Sequence, residues 1–328
     1  MRWLTPLLVF ALATSLCARN RIAYLEFFGY QGIDVDAVRK ALPFREGDKF
    51  SKNLREQARA AVKRVTGREA TDVAEVCCAG HGDYAVFIGL PGQSSRAFQL
   101  SPAPKGDVTP PPELTTLYRK MDRAEDAAFK NGSHEEDGSP GYRLSKEPRA
   151  RAAEIALREY ALHHEDEIIR VLESSGDADR RSMAADALGY GARTPRQLAA
   201  LVRAARDPDS GVRNDSTRAL GEILRGDPSV ATQIPPDTFI DMIRSGIWTD
   251  RNKSSAVLWP LTESRDPQLL ARLKSEAGDA LLEMARWRAE DWAFTSRIVL
   301  GRIAGIPEER VTPLAAGPLD AFLSAIGR

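Results

Sequence analysis

The chain has 328 residues, in which 46 lysines and arginines balance 46 aspartates and glutamates. A formal net charge of zero gives no global field to attract a polyanion, which argues against nucleic acid as a partner. With 28% charged and 43% hydrophobic residues, the chain is neither disordered overall nor an integral membrane protein, and its length fits two ordinary domains.

The N-terminus has the pattern of an export signal. Arg2 precedes an apolar run over residues 4–16, which is shorter than the roughly 20 residues that cross a bilayer. We therefore expect residues 1–18 to be a signal peptide that is removed on export, which makes the protein periplasmic or secreted. Two alternatives stay open: a retained anchor, or a lipid on Cys17, where Leu16 departs from the small residue typical of a lipoprotein signal.

Only two cysteines, Cys77 and Cys78, follow the signal. Adjacent side chains on a strand point to opposite faces, so we expect one core residue and one outward-facing residue. A disulfide between these neighbours is the alternative. No CxxC motif or nearby histidine pair completes a metal site.

Residues 20–92 are predicted to form a small α+β domain of order β-α-α-β-β. The predicted strands cover residues 22–28, 72–79 and 84–90. Between the first two strands lie two amphipathic helices, for which Asp34 and Ser51 are the predicted caps. A three-stranded sheet must cover one face with such helices to be stable.

Four local features of this region are shared with one known family: the strand that ends in Phe28-Gly29-Tyr30, the helix entry at residues 33–35, the loop over residues 42–48 and the Ser51 cap. By these features the region resembles a POTRA domain. The resemblance implies an envelope location and contacts with polypeptides, partly by adding a strand to an exposed sheet edge. It places that edge at residues 72–79 and makes Glu75 a candidate partner-binding residue. The chain has a single POTRA-like domain, which departs from the most common context of the family. This departure argues against a function as a membrane pore.

Residues 93–147 are predicted to be a linker with one helix. Prolines concentrate between Ser101 and Pro112, which favours a semi-rigid connector with few contacts to either domain. Apolar residues at helical spacing then predict a helix over residues 113–130. Breaker residues predict a loop over residues 131–141.

A repeat of about 30 residues organises residues 148–307. The pairs Ala156-Leu157, Ala187-Leu188 and Ala219-Leu220 recur at this interval, each late in a predicted helix. The clearest unit covers residues 194–226, where Thr194 and Gln197 are predicted to form a capping box. Residues 308–328 are predicted to form a C-terminal cap or tail.

The segment from Asp207 to Arg213, leading to Arg218-Ala219-Leu220-Gly221, is similar to a HEAT repeat of the short bacterial, bilin-lyase-associated type. The resemblance implies an all-α solenoid in which turn aspartates and the arginines after them form a structural ladder. It assigns the ladder to Asp207 and Arg213, and to Asp179 and Arg181 in a more degenerate copy. Stacked helix pairs of this kind present an extended surface to a macromolecule.

Tryptophans cluster in the last third of the chain, at positions 248, 259, 287 and 292. One interpretation is that they seal the end of the stack as core residues. The other is an aromatic hot spot for a partner, with Trp287 and Arg288 as candidate binding residues.

No nucleophile elbow, P-loop, dinucleotide fingerprint or HExxH motif is present, so we predict no catalytic, cofactor-binding or metal-ligating residue. The sequence favours a monomeric, exported adaptor or scaffold that binds protein partners and is at most peripheral to a membrane. The alternative is an enzyme or cofactor-handling protein, which only the bilin-lyase-associated repeat type indicates.

Overall fold

A computed structural model describes residues 20–77, 83–133 and 135–328. The predicted signal peptide and Cys17 lie outside these ranges, as does most of the turn between the last two predicted strands. In the described residues a three-stranded sheet with two helices comes first, and a long series of helices comes after it. This order confirms the predicted α+β start before an α-helical stack.

The small domain contains three strands and two helices. They are β1 Ile22–Phe28, α1 Val35–Ala41, α2 Leu54–Thr66, β2 Asp72–Cys77 and β3 Tyr84–Gly89. The sheet order is β1-β3-β2, with β1 parallel to β3 and β2 antiparallel to it. β1 and β2 are therefore the two edges of the sheet.

Local signals explain where the two helices begin and end. The Asp34 carboxylate accepts the Ala37 N–H at 3.0 Å and caps α1, as predicted. Gly67 ends α2 with a φ of 71°, in the left-handed region that glycine adopts without strain. Ser51 does not cap α2 as predicted, because the helix begins after Asn53 and the Ser51 hydroxyl instead accepts the Asn53 N–H in the preceding turn.

The sheet is buried on both faces. Val73, Val86 and Ile88 pack beneath α1 and α2 on one face. Phe28 and Phe87 join the core of the helical region on the other face. Five of the six residues of β3 are buried, as expected for a central strand that is covered on both sides.

The helical region begins with α3 Pro112–Lys130 and a short hairpin of β4 Glu136–Asp137 and β5 Leu144–Ser145. The next helices are α4 Pro148–His163, α5 Glu165–Ser174, α6 Ala178–Leu188, α7 Pro195–Ala204, α8 Ser210–Gly226, α9 Asp237–Met242, α10 Trp248–Leu261, α11 Pro267–Arg272, α12 Gly278–Ala285, α13 Glu290–Ile303, α14 Glu308–Ala315 and α15 Leu319–Ala325. A 3-10 helix covers Pro228–Gln233 and a π-helical turn covers Leu273–Ala277.

From α5 onward the helices form packed pairs: α5 with α6, α7 with α8, α9 with α10, and α12 with α13. The second helices of these pairs, α6, α8, α10 and α13, pack side by side, and we call them the second-helix layer. Each pair thus buries its apolar face against its neighbours, which is the packing of a repeat stack.

The predicted capping box at the start of α7 forms only in part. The Thr194 hydroxyl accepts the Gln197 N–H at 3.1 Å, as a cap should. The Gln197 side chain, however, accepts the N–H of Arg193 at 2.7 Å rather than that of Thr194. The box is therefore shifted by one residue.

Residues 93–147 do not behave as the separate linker that the prolines predict. The Arg96 N–H donates to Arg244 O at 2.7 Å, and the Ser101 N–H donates to Arg206 O at 2.7 Å. The Gly176 N–H donates to Gly106 O at 2.7 Å, so the segment is bound along the stack by backbone hydrogen bonds. The expected helix is present as α3, whereas the expected loop after it contains β4.

Cys77 is disulfide-bonded. The predicted C-terminal tail forms α14 and α15, with Val311 and Phe322 buried against the rest of the chain. None of the helices in the described ranges is long and apolar enough to cross a membrane.

Candidate functional site

A ladder of arginine–carboxylate pairs joins successive repeats. Arg181 on α6 contacts both carboxylate oxygens of Asp207 at 2.8 Å. Arg213 on α8 contacts those of Asp250 at 2.8 and 3.1 Å. Each guanidinium therefore makes a bidentate pair with the next unit, the geometry in which arginine binds carboxylates best.

Arg251 forms the next rung, with Glu283 at 3.0 Å, and each of the three ladder arginines also donates to a backbone carbonyl six residues before it. The acceptors are Ser175 O for Arg181, Asp207 O for Arg213 and Ser245 O for Arg251, at 3.0, 2.9 and 2.7 Å. These bonds close the turn that leads into each second helix. The ladder therefore fixes the turns as well as the spacing of the repeats.

The structure brings Arg181, Asp207 and Arg213 into this ladder but leaves out Asp179. Asp179 lies exposed in the first turn of α6, and the acid that meets Arg181 is Asp207 of the next repeat. The assignment of Asp179 is therefore wrong. Asp250 was missed as the partner of Arg213, because it belongs to a degenerate copy that lacks the Asp-Pro-Asp turn.

The last acid of the ladder, Glu283, ties the small domain to the stack. Its buried carboxylate accepts the N–H groups of Gly29 and Tyr30 at 2.7 and 2.9 Å, and Arg251 donates to it at 3.0 Å. The Ser94 hydroxyl also donates to it. A buried charge needs this many donors to offset its lost hydration, so these bonds hold the turn after β1 in place.

The tryptophan cluster packs against the small domain. The Phe87 ring on β3 lies 4.9 Å from Trp287, 5.0 Å from Trp248 and 5.6 Å from Trp292, measured between ring centroids. The Trp287 Nε1–H donates to Phe27 O at 3.0 Å. These aromatic contacts join the two parts of the chain in one core.

The assignment of Trp287 as a partner-binding residue is therefore wrong, whereas that of Arg288, whose side chain is half-exposed, stays a prediction. Trp287 is only 1% exposed, because its own chain covers it. The Arg288 Nη1 donates to Glu46 at 3.0 Å, and the Arg288 Nε lies 3.5 Å from a Glu26 carboxylate oxygen. Both side chains serve the contact between the small domain and the stack.

Glu75 lies on β2, and the hydrogen bonds of β3 determine the direction of its backbone groups. The N–H groups of Tyr84 and Leu90 donate toward β1, to Arg21 O and Phe28 O. The odd-numbered residues of β3 therefore face β2, where the register pairs Phe87 with Ala74. Since N–H direction alternates along a strand, the Glu75 N–H and C=O point away from the sheet.

The two sheet edges differ in the groups that occupy them. The Ile22 N–H donates to Asp48 O, and the Gly47 N–H donates to Ile22 O, so a loop closes the edge at β1. On β2 the Asp72 carboxylate accepts the N–H groups of Val73 and Trp248. The Glu75 N–H makes no hydrogen bond with another described residue, and its side chain pairs with Arg55 at 3.5 Å. Among the described residues, the outward backbone of Glu75 is thus the open part of the sheet edge.

This open edge leads into a cavity of about 630 Å³, which we call the edge cavity. The end of β2, α3, the β4–β5 hairpin, α8, α10 and α13 line it. Its lining includes Glu125, Glu136, Glu154, Arg218, Lys253 and Trp292. The cavity is therefore bounded on one side by the second-helix layer and on the other by elements that pack on that layer.

Most charges in the edge cavity are paired with one another. Arg143 lies 2.7 Å from Glu125, 3.1 Å from Asp186 and 4.0 Å from Glu154. Arg218 donates to both oxygens of Glu136 at 2.8 and 2.6 Å. Pairs of this kind offset the cost of removing each charge from water.

Glu125 and Lys253, which both line the edge cavity, have shifted pKa values. Burial raises the pKa of Glu125 to about 7, against the opposing pull of Arg143. Burial also lowers the pKa of Lys253 to about 8, and repulsion from Arg218 adds to the effect. Lys253 forms no ion pair or hydrogen bond with any residue of the described ranges. Glu136, Asp215 and Glu222 act on the Lys253 ammonium in the opposite direction and favour its charged form.

The described ranges contain no group of three or more histidine, cysteine, aspartate or glutamate side chains placed to hold a metal ion. The site therefore offers a polar cavity and an open backbone edge as its binding features.

A family model of HEAT repeats matches residues 165–234, which contain α5 to α8 and the 3-10 helix. No curated protein matches the chain. The POTRA-like identity of the small domain stays a prediction. The family match and the arginine ladder together identify HEAT-like repeats in this part of the chain, an architecture that suggests a scaffold for protein interactions.

Proposed function

We propose that the protein is an exported scaffold that binds an extended segment of a partner polypeptide at the open half of β2. The observation that carries this proposal is the Glu75 backbone, which points outward without a hydrogen-bond partner in the described residues at the mouth of the edge cavity. An extended peptide that pairs with such an edge gains main-chain hydrogen bonds, and adjacent pockets select its side chains.

The stack and the small domain have different roles in this proposal. The HEAT-like repeats form a rigid support, because buried ladder pairs join one repeat to the next. The small domain, held by Glu283 and the tryptophans, presents β2 beside the second-helix layer. A partner segment would then contact both parts of the chain at once, as a monomeric adaptor requires.

A library of random decapeptides on beads tests strand addition. We expect labelled wild-type protein to bind a subset of the beads, Glu75→Ala to bind the same subset and Glu75→Pro to lose it. Proline removes the outward N–H, whereas alanine keeps it. Circular dichroism must give the same spectrum for both variants. Equal binding by folded Glu75→Pro, or no bead bound by the wild type, would contradict the proposal.

The export part of the proposal rests on Arg2 and the apolar run over residues 4–16. N-terminal sequencing of the protein from a periplasmic fraction should begin near residue 19. A cytoplasmic chain that starts at Met1 would be evidence against export. A pigment or metal that copurifies in stoichiometric amount would favour the cofactor-handling alternative over a non-enzymatic scaffold.

A further inference from the structure

A second cavity, of about 440 Å³, lies where the small domain, the proline-rich segment and the stack meet, and we call it the junction cavity. Its lining comes from residues 68, 71 and 91 of the small domain, residues 95–98 and 100 of the following segment, and residues 213, 245–247 and 250 of the stack. A volume of this size is within the range of small-molecule sites in proteins. The junction cavity therefore has room for a small organic molecule.

Apolar side chains form one wall of the junction cavity: Pro91, Ala97, Phe98, Leu100 and Ile247. Leu100 leaves 41% of its surface exposed, so its own chain does not cover this wall completely. The guanidinium carbon of Arg213 lies 5.7 Å from the centroid of the Phe98 ring, a cation–π contact that holds the ring in place. An apolar group that enters the cavity would lose its contact with water against this wall, which favours binding.

The charges of the lining favour an anion. Three arginines and one carboxylate, Asp250, line the junction cavity. Asp250 is only 1% exposed and is already bound by Arg213 and the Ser245 hydroxyl. Arg68 and Arg96 form no ion pair with any residue of the described ranges, and the Arg68 Nη1 donates only to a neutral backbone carbonyl, at 2.5 Å. The guanidinium groups of Arg68 and Arg96 can therefore donate to an acidic group of a ligand.

Contacts between the three parts of the chain hold the junction cavity in shape. The Arg96 N–H donates to Arg244 O at 2.7 Å and fixes the segment on the stack. Gly246 of the stack lies so close to Thr71 of the small domain that an added Cβ would be 2.8 Å from Thr71 Cβ. The lining is thus positioned before a ligand binds, which lowers the cost of ordering it.

We propose that the junction cavity binds a small amphipathic anion, with its acidic head group on Arg68 and Arg96 and its apolar body against the wall that contains Phe98. The head group is a carboxylate or a phosphate monoester, because both match the donor geometry of a guanidinium group. This inference goes beyond the proposed function, since strand addition at β2 uses neither arginine.

Isothermal titration calorimetry of the purified protein with four probes makes the test: octanoate, octyl phosphate, 1-octanol and acetate. Octanoate or octyl phosphate should bind at one site per chain, at least about tenfold more tightly than octanol. That factor corresponds to about 1.4 kcal/mol, which one charge-assisted hydrogen bond can supply. Acetate, which lacks the apolar body, should bind more weakly by at least about the same factor. The tighter of octanoate and octyl phosphate identifies the head group.

Variants of the lining locate the binding site. Ala97→Glu adds a carboxylate to the cavity, and Ala97→Gln is its matched control, of similar size without the charge. Ala97→Glu should weaken binding of the tighter probe by at least about tenfold, whereas Ala97→Gln should bind it nearly as the wild type does.

Arg96→Met removes a guanidinium group that has no side-chain partner in the described residues, and it should also weaken binding by at least about tenfold. Arg170→Met, which changes an exposed arginine on α5 outside the cavity, should leave binding unchanged. Thermal unfolding checks that each variant is folded.

Three results would overturn the inference. Equal affinity for octanol and for both anions would mean that the arginines contribute nothing to binding. No heat of binding from either anion would mean that the cavity is not a site for this class of ligand. Binding that both Ala97→Glu and Arg96→Met leave unchanged would place the ligand elsewhere. None of these results bears on strand addition at β2, which the decapeptide library tests separately.

Discussion

At the scale of single residues, Arg213 and Asp250 form a deeply buried rung of the ladder, at 4% and 1% exposure. Arg213→Ala leaves the Asp250 carboxylate buried without its main partner. We expect a loss of about 3–5 kcal/mol in the free energy of unfolding, because the remaining carboxylate is buried without an opposite charge to offset its lost hydration. Arg213→Lys should lose less but not be neutral, since an ammonium cannot make the bidentate contact.

Urea denaturation measures these losses, and Arg149→Ala is the control because Arg149 is an exposed arginine on α4. A change below about 0.5 kcal/mol for Arg213→Ala, the size typical of ordinary surface substitutions, would show that the ladder does not hold the repeats together.

Glu125 predicts how stability depends on pH. Its pKa rises from an ordinary value of 4.5 to about 7 in the folded chain, mainly through burial. Between these values the unfolded chain releases the proton and the folded chain keeps it, so stability falls as pH rises through this window. Compared with Glu125→Gln, the wild type should lose stability from pH 4.5 to 7 and change little above it.

Chemical denaturation at a series of pH values measures this difference. Asp126→Asn removes an exposed carboxylate from the same helix and should leave the pH dependence of the wild type in place. Parallel stability curves for wild type and Glu125→Gln would mean that Glu125 is not held protonated.

The residues that sequence could identify are those in the clearest repeat. Asp207 and Arg213 stand in an intact Asp-Pro-Asp turn, and their ladder positions follow from that pattern. Asp250 and Glu283 lie in degenerate units, so no motif marks them. Lys253 and Glu125 acquire their shifted pKa values only from burial among distant elements, which no local pattern contains.

At the scale of elements, the contact between β3 and the tryptophans is the main feature that sequence reasoning misjudged. Four tryptophans beside basic residues fit either a core or a partner surface, and only the position of the small domain decides between them. Contacts such as Trp287 with Phe27 join residues 260 positions apart. Periodicity within a helix carries no information at that distance.

Trp287→Ala tests this contact between elements. It removes a buried ring and the hydrogen bond to Phe27 O, so we expect a loss of about 3–5 kcal/mol in stability. Trp287→Phe should lose less, because it keeps most of the ring. Differential scanning calorimetry should show an earlier transition for the small domain in Trp287→Ala. Trp259→Phe is the control, because Trp259 packs against Phe294 in a separate cluster away from the small domain. An unchanged transition in Trp287→Ala would contradict a structural role for the contact between Trp287 and β1.

At the scale of the whole molecule, the small domain, the proline-rich segment and the stack form one body. The composition of residues 93–147 predicted separate folding units, since prolines and polar residues usually mark linkers. The structure instead packs Gly106 against the backbone of Ser174, where an added Cβ would lie 2.5 Å from Ser174 O. Close packing of this kind depends on the partner surface and cannot be inferred from composition.

Trypsin cleavage after Lys105 measures whether this segment is bound. Lys105 is exposed, but the next residue is held by the bond from the Gly176 N–H to Gly106 O. We expect cleavage there to accompany global unfolding as urea is raised, because a protease needs several residues of free backbone. Rapid cleavage in the absence of urea, with two stable fragments, would instead indicate that the two parts of the chain fold as independent domains.

The proposed function requires a partner polypeptide to pair with the outward backbone of β2 beside the edge cavity. Hydrogen exchange of single amides, measured by NMR with and without a decapeptide selected from the bead library, observes this pairing at the bond itself. In the free protein the Glu75 amide should exchange fast and the Ala74 amide, which faces β3, slowly. Peptide at saturating concentration should protect Glu75 and leave Ala74 unchanged. A Glu75 amide that still exchanges fast while the peptide is bound would contradict strand addition at this edge.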